Sequence, residues 1–146
     1  MNPVGRGIGP DATSRRARGR VGVPEPTRKG PILVVDDDPG IREFVELTLS
    51  DEGYDVKTAW HGAAALELAE RFRPLVILLD MRMPVMDGWE FARQYRERPG
   101  PHAPIVVVTA ARDAIARAAQ IAADGVLPKP FRLQQLLDVV ARFSRR

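Results

Sequence analysis

Residues 75–88, LVILLDMRMPVMDG, limit what this chain can fold into more than any other stretch. They begin with an unbroken apolar run, Leu75, Val76, Ile77, Leu78 and Leu79. That length suits a strand buried on both faces, as strands are in a parallel sheet covered by helices. The run stops at Asp80. In open α/β sheets ligands sit at the carboxyl ends of central strands, so a carboxylate there is placed for chemistry. Pro84 then stiffens the loop, and Gly88 permits a close approach into the next helix. Taken alone, Asp80 reads equally well as the residue that turns the chain out of the strand.

The chain has 146 residues, enough for one domain with a sizeable core and some spare length. Hydrophobic content of 45% is ordinary for a globular protein. The absence of cysteine excludes disulfides, thiol chemistry and cysteine-built zinc or iron–sulfur sites. No apolar run approaches the ~18 residues of a membrane span. The formal net charge of +3 hides an uneven distribution. Residues 1–30 hold seven basic side chains (Arg6, Arg15, Arg16, Arg18, Arg20, Arg28 and Lys29) against Asp11 and Glu25. The remainder carries 15 basic and 17 acidic residues, so the basicity belongs to the tail.

That tail also holds six of the twelve glycines and four of the thirteen prolines, with no periodic apolar face. Such a segment cannot bury enough surface to offset its ordering entropy, and it reads as disordered. Ser14-Arg15-Arg16 resembles a twin-arginine export signal, but no apolar segment follows, which excludes that reading. An arginine-rich tail can meet a polyanion through phosphate contacts. No aromatic residues are interleaved to stack on bases, which favours a passive, solvated extension.

From Pro31 onward strands and helices alternate. Residues 32–35 form an apolar, β-branched strand ending in Asp36-Asp37-Asp38-Pro39. Asp38 caps the first helix and Pro39 takes its first turn. Ile41, Phe44, Val45 and Thr48 recur at helical spacing to about Asp51, and Gly53 ends the helix. Residues 54–58 read as strand 2, and 62–72 as an alanine- and leucine-rich helix closed by Pro74. Strand 3 is the opening stretch. Trp89, Phe91, Ala92 and Tyr95 mark helix 3, ending near Pro99-Gly100. Residues 105–108 give strand 4, finishing on Thr109, and 112–122 give helix 4. Val126-Leu127 is a brief strand 5 running into Pro128-Lys129-Pro130. Leu133, Leu136, Leu137, Val140 and Phe143 line the inner face of helix 5.

Five strands alternating with five helices predict a parallel sheet covered on both faces. Right-handed crossovers leave few topologies, and a doubly wound sheet in the order 2-1-3-4-5 suits this length. Strands 1 and 3 are then neighbours at the switch point. Their ends carry Asp36, Asp37 and Asp80, while the ends of strands 4 and 5 carry Thr109 and Lys129. Five polar groups converge on one rim.

Three carboxylates at close quarters repel, and each tends to hold a proton. A divalent cation removes the conflict. Hard oxygen ligands without His or Cys suit Mg2+, which keeps several waters and binds through one or two carboxylates plus phosphate oxygens. A carboxylate can act as nucleophile and form an aspartyl phosphate. The transferring group spreads charge over its oxygens, which Mg2+, the Lys129 ammonium and the Thr109 hydroxyl would share. The residues fit phosphoryl transfer onto Asp80.

ILVVDDDPGIRE, LLDMRMPVMDG, IVVVTA and DGVLPKPF occur in that order over about residues 31–143. Together they resemble the receiver domain of bacterial two-component response regulators, of the stand-alone, chemotaxis-regulator-like kind. The resemblance implies a flavodoxin-like, doubly wound, five-stranded parallel sheet in the order 2-1-3-4-5 with five helices, over residues 31–146. It implies that Asp80 is the phosphoacceptor. Asp36 and Asp37 would hold Mg2+, Asp37 more directly, with Asp80 and the backbone carbonyl of Arg82 assisting. Thr109 would sense the phosphoryl group, Lys129 would pair with it, and the Lys129–Pro130 peptide would be cis. The donor would be a sensor histidine kinase or a phosphotransfer protein, the location cytoplasmic, and the phosphoryl group slowly lost by self-catalysis. A dimer formed on phosphorylation stays open.

Plainer alternatives exist for each residue. Asp36 and Asp37 can start a helix, although Asp38 already supplies the cap. Thr109 can be an ordinary strand residue and Lys129 a solvated turn lysine. The Arg82 side chain is expected to be exposed. His61 and His102 fall in predicted connections without an assigned role, and Met81, Met83 and Met86 are expected to pack rather than ligate. One departure from the family stands out: three residues before the lysine, where Tyr or Phe is usual, stands Val126. A valine cannot make the inward aromatic rotamer change that links site to surface.

After helix 5 only Ser144, Arg145 and Arg146 remain, so no DNA-binding or second catalytic domain is expected, and no membrane segment. Output would pass to an unidentified downstream protein through helix 4, strand 5 and helix 5, where Arg112, Arg117, Arg132 and Arg142 could present a basic surface to an acidic partner or equally be solvated decoration. Two other readings stay open. A phosphorylation-independent scaffold gains from Val126. An aspartate-nucleophile phosphohydrolase would want a second Asp two residues after Asp80, where Arg82 stands.

Overall fold

The computed structural model describes residues 29–145; of the tail expected at residues 1–30, residues 1–28 lie outside the described residues. In chain order the elements are β1 (Pro31–Val35), α1 (Pro39–Asp51), β2 (Asp55–Ala59), α2 (Gly62–Phe72), β3 (Val76–Leu79), α3 (Gly88–Glu97), β4 (Ile105–Ala110), α4 (Ala111–Gln120), β5 (Gly125–Lys129) and α5 (Leu133–Ser144). The strands form one parallel sheet in the order β2-β1-β3-β4-β5, as expected.

Alternation along the strands divides the core. Leu33, Val35, Ile77, Leu79, Ile105 and Val107 face α2 and α3, where Phe91 is fully buried. Ile32, Val34, Val76, Leu78, Val106 and Val108 face α1 and α5, meeting Val45, Leu49, Leu136 and Val140. Every residue of β3 is buried, which is why its sequence shows no polar alternation.

Helix ends follow local hydrogen bonding. Asp38 caps α1 by accepting from the Gly40 and Ile41 amides at 2.8 and 3.4 Å. His61, given no role from sequence, caps α2 by accepting from the Ala64 amide through Nδ1 at 3.2 Å. Asp87 caps α3 by accepting from Glu90 N–H at 2.9 Å. His102 bonds the Arg98 carbonyl at 2.7 Å and lies edge-on to Tyr95. The three methionines pack as expected: Met81 is fully buried, and Met83 and Met86 lie against the same core.

Several boundaries differ from expectation. Strand β2 starts one residue late because the Tyr54 amide is spent on the Leu49 carbonyl, closing α1. Strand β5 runs on through Pro128, which has no amide to donate but pairs in register with Thr109. Helix α4 spans Ala111–Gln120 rather than 112–122, and Ala122 takes a positive φ of 51°. On α1 the buried stripe is Val45 and Leu49, while Phe44 turns toward Phe131 and stays 39% exposed. Leu133 likewise remains exposed, with Leu136 and Val140 facing inward.

Gly88 is where the loop after β3 closes. Its amide donates to the Met81 carbonyl at 2.9 Å, and a Cβ there would fall 2.7 Å from Met81 Cα and 2.8 Å from the Asp80 carbonyl oxygen. These are backbone atoms and cannot swing aside. Gly88→Ala is therefore expected to lower unfolding free energy by about 1–3 kcal/mol in urea titration, the usual size of overpacking.

Candidate functional site

Among the described residues the buried polar or charged side chains are Asp36, Asp80 and Thr109, and all three stand on one rim of the sheet. Their backbone positions follow from the ladder. The Asp36 amide donates to the Ala59 carbonyl at 3.0 Å, and the Asp80 amide to the Val35 carbonyl at 2.8 Å. Each thereby extends β1 or β3 by one residue, and the switch-point neighbours end side by side. Thr109 lies in β4 beside Pro128 of β5, and Lys129 follows opposite Ala110.

Asp36, Asp37 and Asp80 each offer a carboxylate oxygen within 4.8 Å of the others; Asp37 is exposed to solvent. The Lys129 ammonium lies 2.9 Å from Asp36 Oδ2 and 4.0 Å from Asp80 Oδ1. Asp36 Oδ1 accepts from the Asp38 amide at 3.0 Å, so both oxygens of Asp36 are already engaged. Arg42, not singled out from the sequence, donates from Nη1 to the Asp36 carbonyl at 2.7 Å and steadies the β1–α1 turn. Only its helical spacing after the Asp triplet could have pointed to it.

The expected conflict among the carboxylates falls on Asp80. Burial, followed by the negative charge of Asp36 and to a lesser degree Asp37, pushes its pKa from 3.8 up to about 7. The Lys129 ammonium and the Arg82 backbone N–H act the other way without cancelling the rise. The Arg82 side chain is exposed, so this residue meets the site through its backbone. The Lys129–Pro130 peptide is cis, as the resemblance implied. The structure thus brings all five predicted rim residues to one end of the sheet.

The donor set fits a hard divalent cation. Carboxylate oxygens from two strand ends gather with no His or Cys atom in the cluster, and a carboxylic acid titrating near 7 regains its charge when a cation approaches.

The expected basic output surface is corrected in one respect. Arg112, Arg132 and Arg142 are exposed, but Arg117 is half-buried, with its guanidinium 5.1 Å from the Trp89 ring. It is turned onto α3 instead of joining the others.

A five-stranded doubly wound sheet whose switch point holds an acidic cluster beside a lysine defines an α/β switch domain of the receiver class. Residues 32–141 match the response regulator receiver domain, and the chain belongs to that family. Response regulator MprA of Mycobacterium leprae is 44% identical over 117 residues, which cover 79% of this chain and 51% of MprA. The chain thus spans about half the length of the curated relatives it matches. Vibrio cholerae chemotaxis protein CheY4 is 36% identical, with a TM-score of 0.65, covering 78% of this chain and 98% of CheY4. A putative response regulator from Chloroflexus aurantiacus is 32% identical at a TM-score of 0.73, covering 80% of this chain and 98% of that one. Receiver domains are phosphoacceptor switches of two-component systems. Among the described residues no helix is long and apolar enough to cross a membrane.

Proposed function

We propose that Asp80 accepts a phosphoryl group from a phosphohistidine of a sensor kinase or phosphotransfer protein in the cytoplasm, and that the phosphorylated chain signals through protein contacts. The supporting observation is the meeting of three carboxylates within 4.8 Å with one ammonium at 2.9 and 4.0 Å. Asp37 and Asp80 would hold Mg2+, with Asp36 completing the charge while keeping Lys129 in place. Held there, Mg2+ would supply positive charge to offset the carboxylates and the incoming phosphoryl group.

The remaining steps belong to the chain. An ionised Asp80 oxygen attacks phosphorus, a new O–P bond forms, the donor P–N bond breaks, and the departing imidazole takes up a proton. Lys129 lies close enough to turn from Asp36 toward the incoming oxygens, and the Arg82 N–H orients the nucleophile. Thr109, at the end of β4, would engage one phosphoryl oxygen. The product is an acyl phosphate, slowly hydrolysed.

A phosphohydrolase with the same nucleophile makes a different prediction. Incubated with Mg2+ and a small phosphomonoester, this chain is expected to release at most about one equivalent of the alcohol per protein within the lifetime of the acyl phosphate, the phosphoryl group staying on Asp80. Release of many equivalents of alcohol and phosphate within that lifetime would contradict the proposal.

A further inference from the structure

Val126 leaves this chain without the aromatic ring that usually carries the switch, yet a different aromatic lies between the Asp80 loop and α4. Trp89 is the second residue of α3, directly after Gly88. Its indole N–H donates to Gln120 Oε1 of α4 at 2.8 Å, and the Arg117 guanidinium of α4 lies 5.1 Å from its ring. Among the described residues Arg117 Nε is buried with no hydrogen-bond partner, which leaves the indole face as the contact on that side of the guanidinium. Trp89 packs with Ala118, Ala123 and Val126 against one core cluster.

Other ties hold the C-terminal end of α4: Ala118 packs on the core, and the Arg96 guanidinium of α3 donates to the Ile121 and Ala122 carbonyls just beyond the helix. Ala114 is its one buried residue, Ala110 gives it no side-chain cap, and Ile115 is 80% exposed. With one fully buried side chain of its own, α4 depends on its contacts to α3 to hold its position. At the other end of the contact, the Gly88 amide donates to the Met81 carbonyl at 2.9 Å and a Cβ on Gly88 would fall 2.8 Å from the Asp80 carbonyl oxygen, which seats the first turn of α3 tightly on the Asp80 loop.

We propose that Trp89 is the positioning residue that fastens α4 to the Asp80 loop, and that phosphorylation acts by loosening this fastening, with α4 as the two-state element. This rests on Asp80 being the phosphoacceptor. The coupling runs through Gln120 and Arg117, in place of a ring at position 126.

The chain has two tryptophans, so Trp60→Phe leaves Trp89 as the sole indole reporter. In that background, Mg2+ and acetyl phosphate are added, intact mass is recorded, and indole emission and amide exchange of residues 111–120 are followed. Phosphorylated protein is expected to show red-shifted emission and roughly tenfold faster exchange in α4, the effect of losing one hydrogen bond and one cation–π contact. Gln120→Ala, an exposed change that leaves the core intact, and Trp89→Phe should each speed α4 exchange before phosphorylation and shrink the further response. A mass gain with unchanged emission, or an undiminished α4 response in both variants, overturns the role of Trp89 alone. No mass gain overturns the phosphoacceptor reading and this proposal with it.

Discussion

Lys129→Met is expected to slow phosphoryl acceptance from acetyl phosphate by about 100-fold or more, the usual cost of removing one preorganised charge-stabilising donor. The ammonium is the one cation within 4 Å of both Asp36 and Asp80 among the described residues. Methionine keeps an apolar stem of similar length, so the loss reports charge rather than volume. The same change leaves the Asp36 Oδ2 acceptor buried without its partner. Metal-free protein should lose about 2 kcal/mol of stability, within the range for an orphaned charged group. Pseudo-first-order labelling measured by mass spectrometry gives the first number and urea unfolding in EDTA the second. An unchanged labelling rate would place Lys129 outside the reacting geometry.

Metal-free protein should also become less stable as pH rises from about 4 to 7. In the folded state Asp80 titrates at about 7, against an ordinary 3.8, so the folded form holds a proton that the unfolded chain has released. This contribution is fully present below 3.8 and is lost as pH climbs through 7. Because solvent reaches the rim past Asp37, about 1–2 kcal/mol is expected instead of the full value for a shift of this size. Asp80→Asn removes the dependence and should stabilise metal-free protein above pH 7 by that amount. Mg2+ should flatten the wild-type profile by neutralising the carboxylates. Thermal melts across pH, with EDTA or Mg2+, read both effects.

The architecture was legible because burial on both sheet faces leaves an unmistakable trace. Leu75–Leu79 could be little else than a central strand, and alternation with amphipathic helices limited the topology. The rim was legible because strand ends in a parallel sheet all point the same way, so Asp36, Asp80, Thr109 and Lys129 had to meet. Details set by single hydrogen bonds were not. Tyr54 gives its amide to α1 instead of β2, and Pro128 hides a strand residue behind the composition of a turn. Helix rotation was equally hidden, since Phe44 and Val45 both fit an apolar stripe while packing buries only the second. Arg117 was expected on a basic surface, and nothing in the sequence singled out Arg42. Contacts distant in the chain or fixed by rotamer gave Arg42 the Asp36 carbonyl and Arg117 the Trp89 ring.

Intact-mass analysis after acetyl phosphate and Mg2+ tests the central proposition, that this acidic rim admits one more anion on Asp80. Wild type should gain about 80 Da, the mass of a single phosphoryl group, and Asp80→Ala should gain nothing. Equal labelling of both proteins, or of neither, would contradict the account.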